Sequence, residues 1–180
     1  QSGDLSAQAE SHVQGLISQL ELGDREGVDK ELDALQRFAT ESRQPLYRWY
    51  ATSWDATMAV AEGRFADGQR LAEEAVNVGW TLRGVDATTA FVAHISPIRW
   101  AEGRIGEILT GLDAYIAQYP GQPGWRASRV WMLAAAGQHE CAWRDLDQLV
   151  SEGLEVVESS VFPLATLAFL AHTSAMVGFD

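Results

Sequence analysis

Five glycines punctuate the chain at nearly constant intervals: Gly23, Gly63, Gly103, Gly137 and Gly178 lie 40, 40, 34 and 41 residues apart. Each closes one helix-like apolar pattern and opens another, in the segments QLELGDREGV, MAVAEGRFADG, RWAEGRIGEI, LAAAGQHECA and SAMVGFD. A helix that must reverse within two or three residues ends in the left-handed backbone region, where glycine is unstrained and other residues are not. Recurrence at such a period marks a chain built from tandem supersecondary units.

After four of these glycines the apolar residues recur at helical spacing. They are Val28, Leu32, Leu35 and Phe38; Leu71, Ala72, Ala75 and Val76, after Phe65; Ile108, Leu109, Leu112, Tyr115 and Ile116; and Ala142, Trp143, Leu146, Leu149 and Val150. Partner helices are expected before the glycines, over roughly 5–22, 45–62, 86–102, 124–136 and 162–177. Turn chemistry separates the units at Gln44-Pro45, at Gly84-Val85-Asp86 and at Tyr119-Pro120-Gly121-Gln122-Pro123-Gly124, with Leu154 to Val157 as a connector. One helix pair cannot bury its apolar stripe alone, whereas stacked pairs share a continuous core. The expected fold is therefore all-α: a right-handed superhelical stack of antiparallel helix pairs, a tetratricopeptide-like α-solenoid of about four and a half repeats. The repeats run over about 5–43, 44–83, 84–120, 121–155 and an incomplete 160–180, in one domain spanning 1–180.

The fifth unit has only its first helix, so Val161, Leu164, Leu167, Leu170 and Met176 are expected to lack cover. The chain also has no initiator methionine. The expectation is a piece of a longer protein, or a homo-oligomer formed through this C-terminal helix.

Composition narrows the partners. With 180 residues and 47% hydrophobic, the chain can bury a real core. Twenty-five acids against 13 bases leave a net charge of −12, which opposes phosphate backbones and anionic lipid, so neither nucleic acid nor a membrane surface is expected as partner. The single cysteine, Cys141, allows no intramolecular disulfide, reads as a small buried residue, and points to a reducing cytoplasm. No basic start precedes an apolar run, so no signal peptide is expected, and the apolar 161–177 stretch is too short and too polar to span a bilayer.

The strings QPLYRWYATSWDATMAVAEGRFADGQRLAEEAV (44–76) and YPGQPGWRASRVWMLAAAGQHECAWRDLDQLVSEG (119–153) share a Gly turn and an aromatic first helix. The region from about residue 25 onward resembles the C-terminal helical repeats of bacterial multidomain regulators, in which a cyclase-like or LuxR-type module accompanies an AAA-type ATPase. The resemblance implies a sensing or partner-binding array in a signalling or transcriptional protein, with no catalytic residues in this region. Tetratricopeptide units repeat at 34 residues, and one interval here has that length.

Catalytic motifs are absent. There is no phosphate-binding glycine loop, no G-x-G-x-x-G, no G-x-S-x-G, no H-E-x-x-H and no paired-cysteine spacing. His12, His94, His139 and His172 fall singly on different helices, and His139, Glu140 and Cys141 point in different directions as consecutive helical residues. No catalytic, metal or cofactor residue is assigned. Aromatic residues are prominent, with tryptophan at 49, 54, 80, 100, 125, 131 and 143. Trp54, Trp100 and Trp143 read as spacers between helices, while Trp49 and Trp131 divide evenly between spacer and groove wall.

Counting back from each glycine places Tyr50, Ser53 and Thr57 on the inner face of the second repeat, Ala93 on the third, Trp131 on the fourth and His172 on the fifth. Arg48, Arg99 or Arg129 would meet an anionic group or a peptide carboxylate. Pro97 is expected to kink its helix, freeing a carbonyl near Ala93 beside His94. His172, in the apolar LAFLAHTSAMV, reads as a hydrogen-bonded core histidine or a groove residue. The candidate groove set is thus Arg48, Trp49, Tyr50, Ser53, Thr57, His94, Arg129, Trp131 and His172. The expected function is non-catalytic binding of a protein or peptide segment, with a small-molecule effector site around Trp49, His94 and Trp131 or a homo-oligomerisation domain as alternatives.

Overall fold

The computed structural model describes residues 2–118, 123–153 and 163–178. Among them the chain is all-helical, with eight helices and no strand. These are α1 (Ser2–Leu22), α2 (Arg25–Ser42), α3 (Pro45–Ala61), α4 (Phe65–Ala101), α5 (Gly106–Gln118), α6 (Pro123–Ala135), α7 (His139–Ser151) and α8 (Pro163–Val177). The expected break at Gln44-Pro45 separates α2 from α3, with Pro45 opening the helix, where its missing N–H costs nothing. The expected breaks at 119–122 and 154–157 lie outside the described residues.

All five spaced glycines are left-handed, with φ of +70, +74, +70, +76 and +64° in chain order. Four of the turns have one hydrogen-bond pattern. The amide of Gly23 donates to Leu20 O and that of Asp24 to Gln19 O. Gly63 with Arg64, Gly103 with Arg104, and Gly137 with Gln138 repeat it. The glycine and its successor thereby satisfy two carbonyls that the ending helix leaves free. The successor also starts the next helix: the carbonyls of Asp24, Arg64 and Gln138 accept from Val28, Gly68 and Ala142. One residue ends one helix and begins the next, so the reversal has almost no slack. A Cβ built on any of the five glycines meets nothing within 4 Å, so the requirement is for backbone conformation and not for space.

Two compact units divide the chain, residues 1–98 and 99–180. In the first, α1 packs on α2 and α2 on α3 around fully buried Leu16, Val28 and Leu35. Gly84, at φ 31° and ψ −90°, divides α4 into two arms. The second arm lies along α3. Trp49 packs against Ala87 and Ala90, and Thr57 meets His94, so increasing residue number on one helix matches increasing number on the other. These two first helices therefore run in the same direction, as successive units of a tandem array do. Pro97 sits inside α4, but the only non-helical point in that element is Gly84, so the expected kink falls thirteen residues earlier, at the glycine. Glycine accepts a conformation that would clash for a side chain, and the break forms there.

In the second unit α6 is central, packing on α5, α7 and α8 and burying Trp125, Val130, Trp131, Met132 and Leu133. The ring of Trp131 stacks on Phe169 with centroids 5.3 Å apart and meets Trp100 edge-on at 5.8 Å. The last helix turns polar residues inward: Thr166 and Thr173 are buried, while Leu167 is 44% exposed and Ala168, Ala171 and Ala175 are also exposed. Thr173 satisfies its hydroxyl on Phe169 O, one turn back. Leu167 thus lacks cover as expected, whereas Leu170 and Met176 are half-buried.

Candidate functional site

Three rows of α3 decide where the expected groove residues go. Trp49, Ser53 and Thr57 recur every four residues and face the second arm of α4. Trp49 is 6% exposed, wedged among Ala75, Ala87 and the ring of Tyr50, so it belongs to the core and not to an open wall. Tyr50 accepts a hydrogen bond from Arg83. The Thr57 hydroxyl donates to Ser53 O, which leaves it to accept from His94 Nε2 at 2.9 Å. That fixes the neutral Nε2–H tautomer, with Nδ1 a buried acceptor. Burial drives the His94 pKa down to about 4, against a smaller opposing contribution from the Ser53 backbone. Among the described residues Ser53 Oγ, Trp49 Nε1 and His94 Nδ1 are buried without partners. Five of the nine expected residues converge on this seam.

The remaining four are each described within their own unit. Arg48 points to the other side of α3 and pairs with Glu74 at 2.6 Å. Arg129 is held between Asp113 of α5 and Asp145 of α7; burial works against its charge, and the two carboxylates more than offset it. Trp131 is core. His172 is exposed, contrary to its reading as a core histidine, because α8 turns Thr166 and Thr173 inward instead. Ala93 is exposed, and Arg99 pairs with Glu102. The spacer reading of Trp100 and Trp143 is corrected in the same way: they are 50% and 45% exposed, as Trp80 is at 63%, while Cys141 is only half-buried.

A cleft of about 670 Å³ opens in the first unit between α2, α3 and the first arm of α4. Gln36, Thr40 and Arg43 line it from the α2 side, Gln44 and Arg48 from the next turn and helix, and Asn77 and Thr81 from α4. Its described lining contains two arginines and no carboxylate. Glu74 reaches one of them, Arg48, so Arg43 is the lining arginine with no carboxylate on it among the described residues. Arg43 was not singled out from the sequence, although it occupies the exit turn of a second helix, where Gly84 and Gly153 stand in the later units. An arginine in a series of turn glycines is the signal that would have found it.

The second unit has its own cleft, about 430 Å³, beside Arg126, Arg129, Asp145 and Glu152. Here the charges cancel. Arg126 grips Glu152 with two hydrogen bonds, at 2.6 and 2.8 Å, and Arg129 is already shared between two aspartates. An incoming anion would have to displace a paired carboxylate, so this cleft is the poorer receptor.

Comparison with protein-family models, curated proteins and solved structures finds no match. Among the described residues, no group of three or more His, Cys, Asp or Glu side chains is placed to hold a metal ion. No described helix is long and apolar enough to cross a membrane. The first cleft presents guanidinium, amide and hydroxyl groups along an open surface.

Proposed function

We propose that the protein is a non-catalytic binding module whose α2–α3–α4 cleft takes an acidic segment of a partner protein. The observation that carries this reading is the described cleft lining, which has no carboxylate and holds Arg43 without an ion pair among the described residues, on a chain of strongly negative charge. Arginine forks match carboxylates in geometry as well as charge. The amide and hydroxyl groups of Thr40, Gln44, Asn77 and Thr81 suit an extended peptide backbone rather than a point ligand. The wider architecture in this proposal is a tetratricopeptide-type, right-handed stack. Its support is the repeated glycine turn and the common direction of α3 and the second arm of α4. In this proposal the module belongs to a sensing or partner-binding array, as the resemblance of residues 44–76 and 119–153 to repeats of bacterial regulators implies.

The test is fluorescence anisotropy with a labelled peptide of alternating Asp and Ser, against the same peptide with Asn for Asp. The aspartate peptide binds, and affinity falls as salt screens the contacts beyond a Debye length of about 8–10 Å. Equal affinity for the two peptides, or no binding at low salt, overturns the proposal. A second reading, a receptor for a small polar effector, rests on the three unpartnered atoms at the α3–α4 seam, Trp49 Nε1, Ser53 Oγ and His94 Nδ1. A thermal-shift screen of small hydrogen-bonding molecules, repeated on Ser53→Ala, separates it from the first.

A further inference from the structure

We infer that Arg43 is the residue that selects the carboxylate of the bound segment, held for that purpose at a backbone position better suited to glycine. The inference rests on the reading of the cleft as an acidic-segment site, and three observations at Arg43 carry it further.

The first is conformational. Arg43 caps α2 at φ 53° and ψ 23°, and among the described residues it is the only non-glycine with positive φ. That conformation brings Cβ against the following carbonyl and is strained for an L-residue. Among the described exits of later second helices, positive φ falls on glycine: Gly84 within α4, and Gly153 one residue beyond the α7 cap. Strain held at one member of a repeated position calls for a compensating use of the side chain.

The second is electrostatic. Five of the other six arginines of the same unit, Arg25, Arg48, Arg64, Arg70 and Arg83, reach a carboxylate; Arg37 does not among the described residues, but it is not on the cleft lining. Arg43 is exposed, and its guanidinium has no hydrogen bond or ion pair to the described residues. Within the cleft it is the charge free to take a ligand, because Arg48 is already engaged by Glu74.

The third is position. Arg43 lines the cleft at the α2–α3 turn, with Gln44 next to it and Asn77 and Thr81 also on the lining. A carboxylate on the Arg43 fork leaves the rest of an extended chain to follow the amide and hydroxyl groups.

The experiment uses the whole chain, the labelled Asp-Ser peptide, and the variants Arg43→Gly and Arg43→Lys. Arg43→Gly relieves the backbone and raises Tm by about 2–4 °C. The same variant weakens peptide binding by about tenfold or more, the usual effect of losing hydrogen bonds to a charged group. Arg43→Lys keeps the charge and the strain but loses the fork, so it leaves Tm unchanged and recovers only part of the affinity. If wild type binds and Arg43→Gly binds equally well, the inference falls while the cleft reading survives. If Arg43→Gly lowers Tm, the arginine supports the fold and the inference falls on that ground. If wild type fails to bind, both fall together.

Discussion

Gly79 in the first arm of α4 is the position where the packing makes its sharpest demand. It is buried, and its backbone is ordinarily helical, so alanine would by propensity stabilise the helix by about 1 kcal/mol. Space opposes that gain. A Cβ there would lie 2.5 Å from Trp49 Cδ1 and Nε1 and 2.8 Å from Ala87 Cβ. Neither neighbour can yield cheaply. The indole is 6% exposed and has the Tyr50 ring 4.9 Å away. Ala87 has no rotamer to change, so its Cβ moves only with the second arm of α4. Overpacking of this kind costs about 1–3 kcal/mol, and with both neighbours fixed the upper part of that range applies. Steric cost therefore outweighs helix propensity, and Gly79→Ala is expected to destabilise by about 1–2 kcal/mol net. For a chain of this length that is a fall in Tm of roughly 2–8 °C by far-UV circular dichroism. The cause is checked in a double-mutant cycle: in a Trp49→Leu background the nearer obstruction is gone and only the Ala87 contact remains, so Gly79→Ala costs less than it does with Trp49 intact. A rise in Tm for Gly79→Ala with Trp49 intact would refute the reasoning.

Three further outcomes follow from the same structure. Gly63→Ala meets no atom within 4 Å yet forces a side chain to φ +74°, so it costs about 1–2 kcal/mol in a thermal melt, and an unchanged Tm would count against a conformational role for the glycine series. His94 is held neutral in the fold, so between pH 6.5 and about 4 the unfolded chain takes up a proton that the folded chain refuses. Its stability is therefore complete above pH 6.5 and falls by about 3 kcal/mol as pH drops toward 4, and His94→Leu should flatten that slope in urea titrations. Glu62, held down by Arg64 and Arg25, loses its contribution only below its ordinary 4.5, and Asp55, raised by burial, acts with the opposite sign toward the acid end, so the histidine is read most cleanly in the upper part of the window. Glu74→Gln releases Arg48 into the cleft and should tighten binding of the Asp-Ser peptide about threefold to tenfold in the anisotropy assay, whereas unchanged or weaker binding would remove Arg48 from the site.

What could be read in advance was what backbone geometry alone determines. A left-handed glycine must end each first helix whatever surrounds it, so spacing sufficed to locate five turns and the helices between them. Which face of a helix looks inward depends on how helices stack, and there the reading failed. Trp49 and Trp131 lie in the core, while Trp100 and Trp143 are half-exposed, because an aromatic residue satisfies either environment and the pattern carries no label for it. His172 was misplaced for a related reason. In α8 nearly every residue is apolar, so no stripe indicates the buried side, and two threonines that bond their own backbone turn inward. Arg48 of the cleft was among the expected residues, but Arg43 was not, because it sits just before the Gln44-Pro45 turn, where no binding residue was sought. Arg43 becomes visible only when the exits of the second helices are compared with one another.

The central claim is a place as well as a function, and a nitrogen-15 NMR titration of the whole chain with the unlabelled Asp-Ser peptide tests both. Shift changes are expected to concentrate at the amides of Thr40, Arg43, Gln44, Arg48, Asn77 and Thr81, with residues lining the Arg126–Glu152 cleft undisturbed. Saturable changes centred on Arg126 and Arg129, or none at all at low salt, would contradict it.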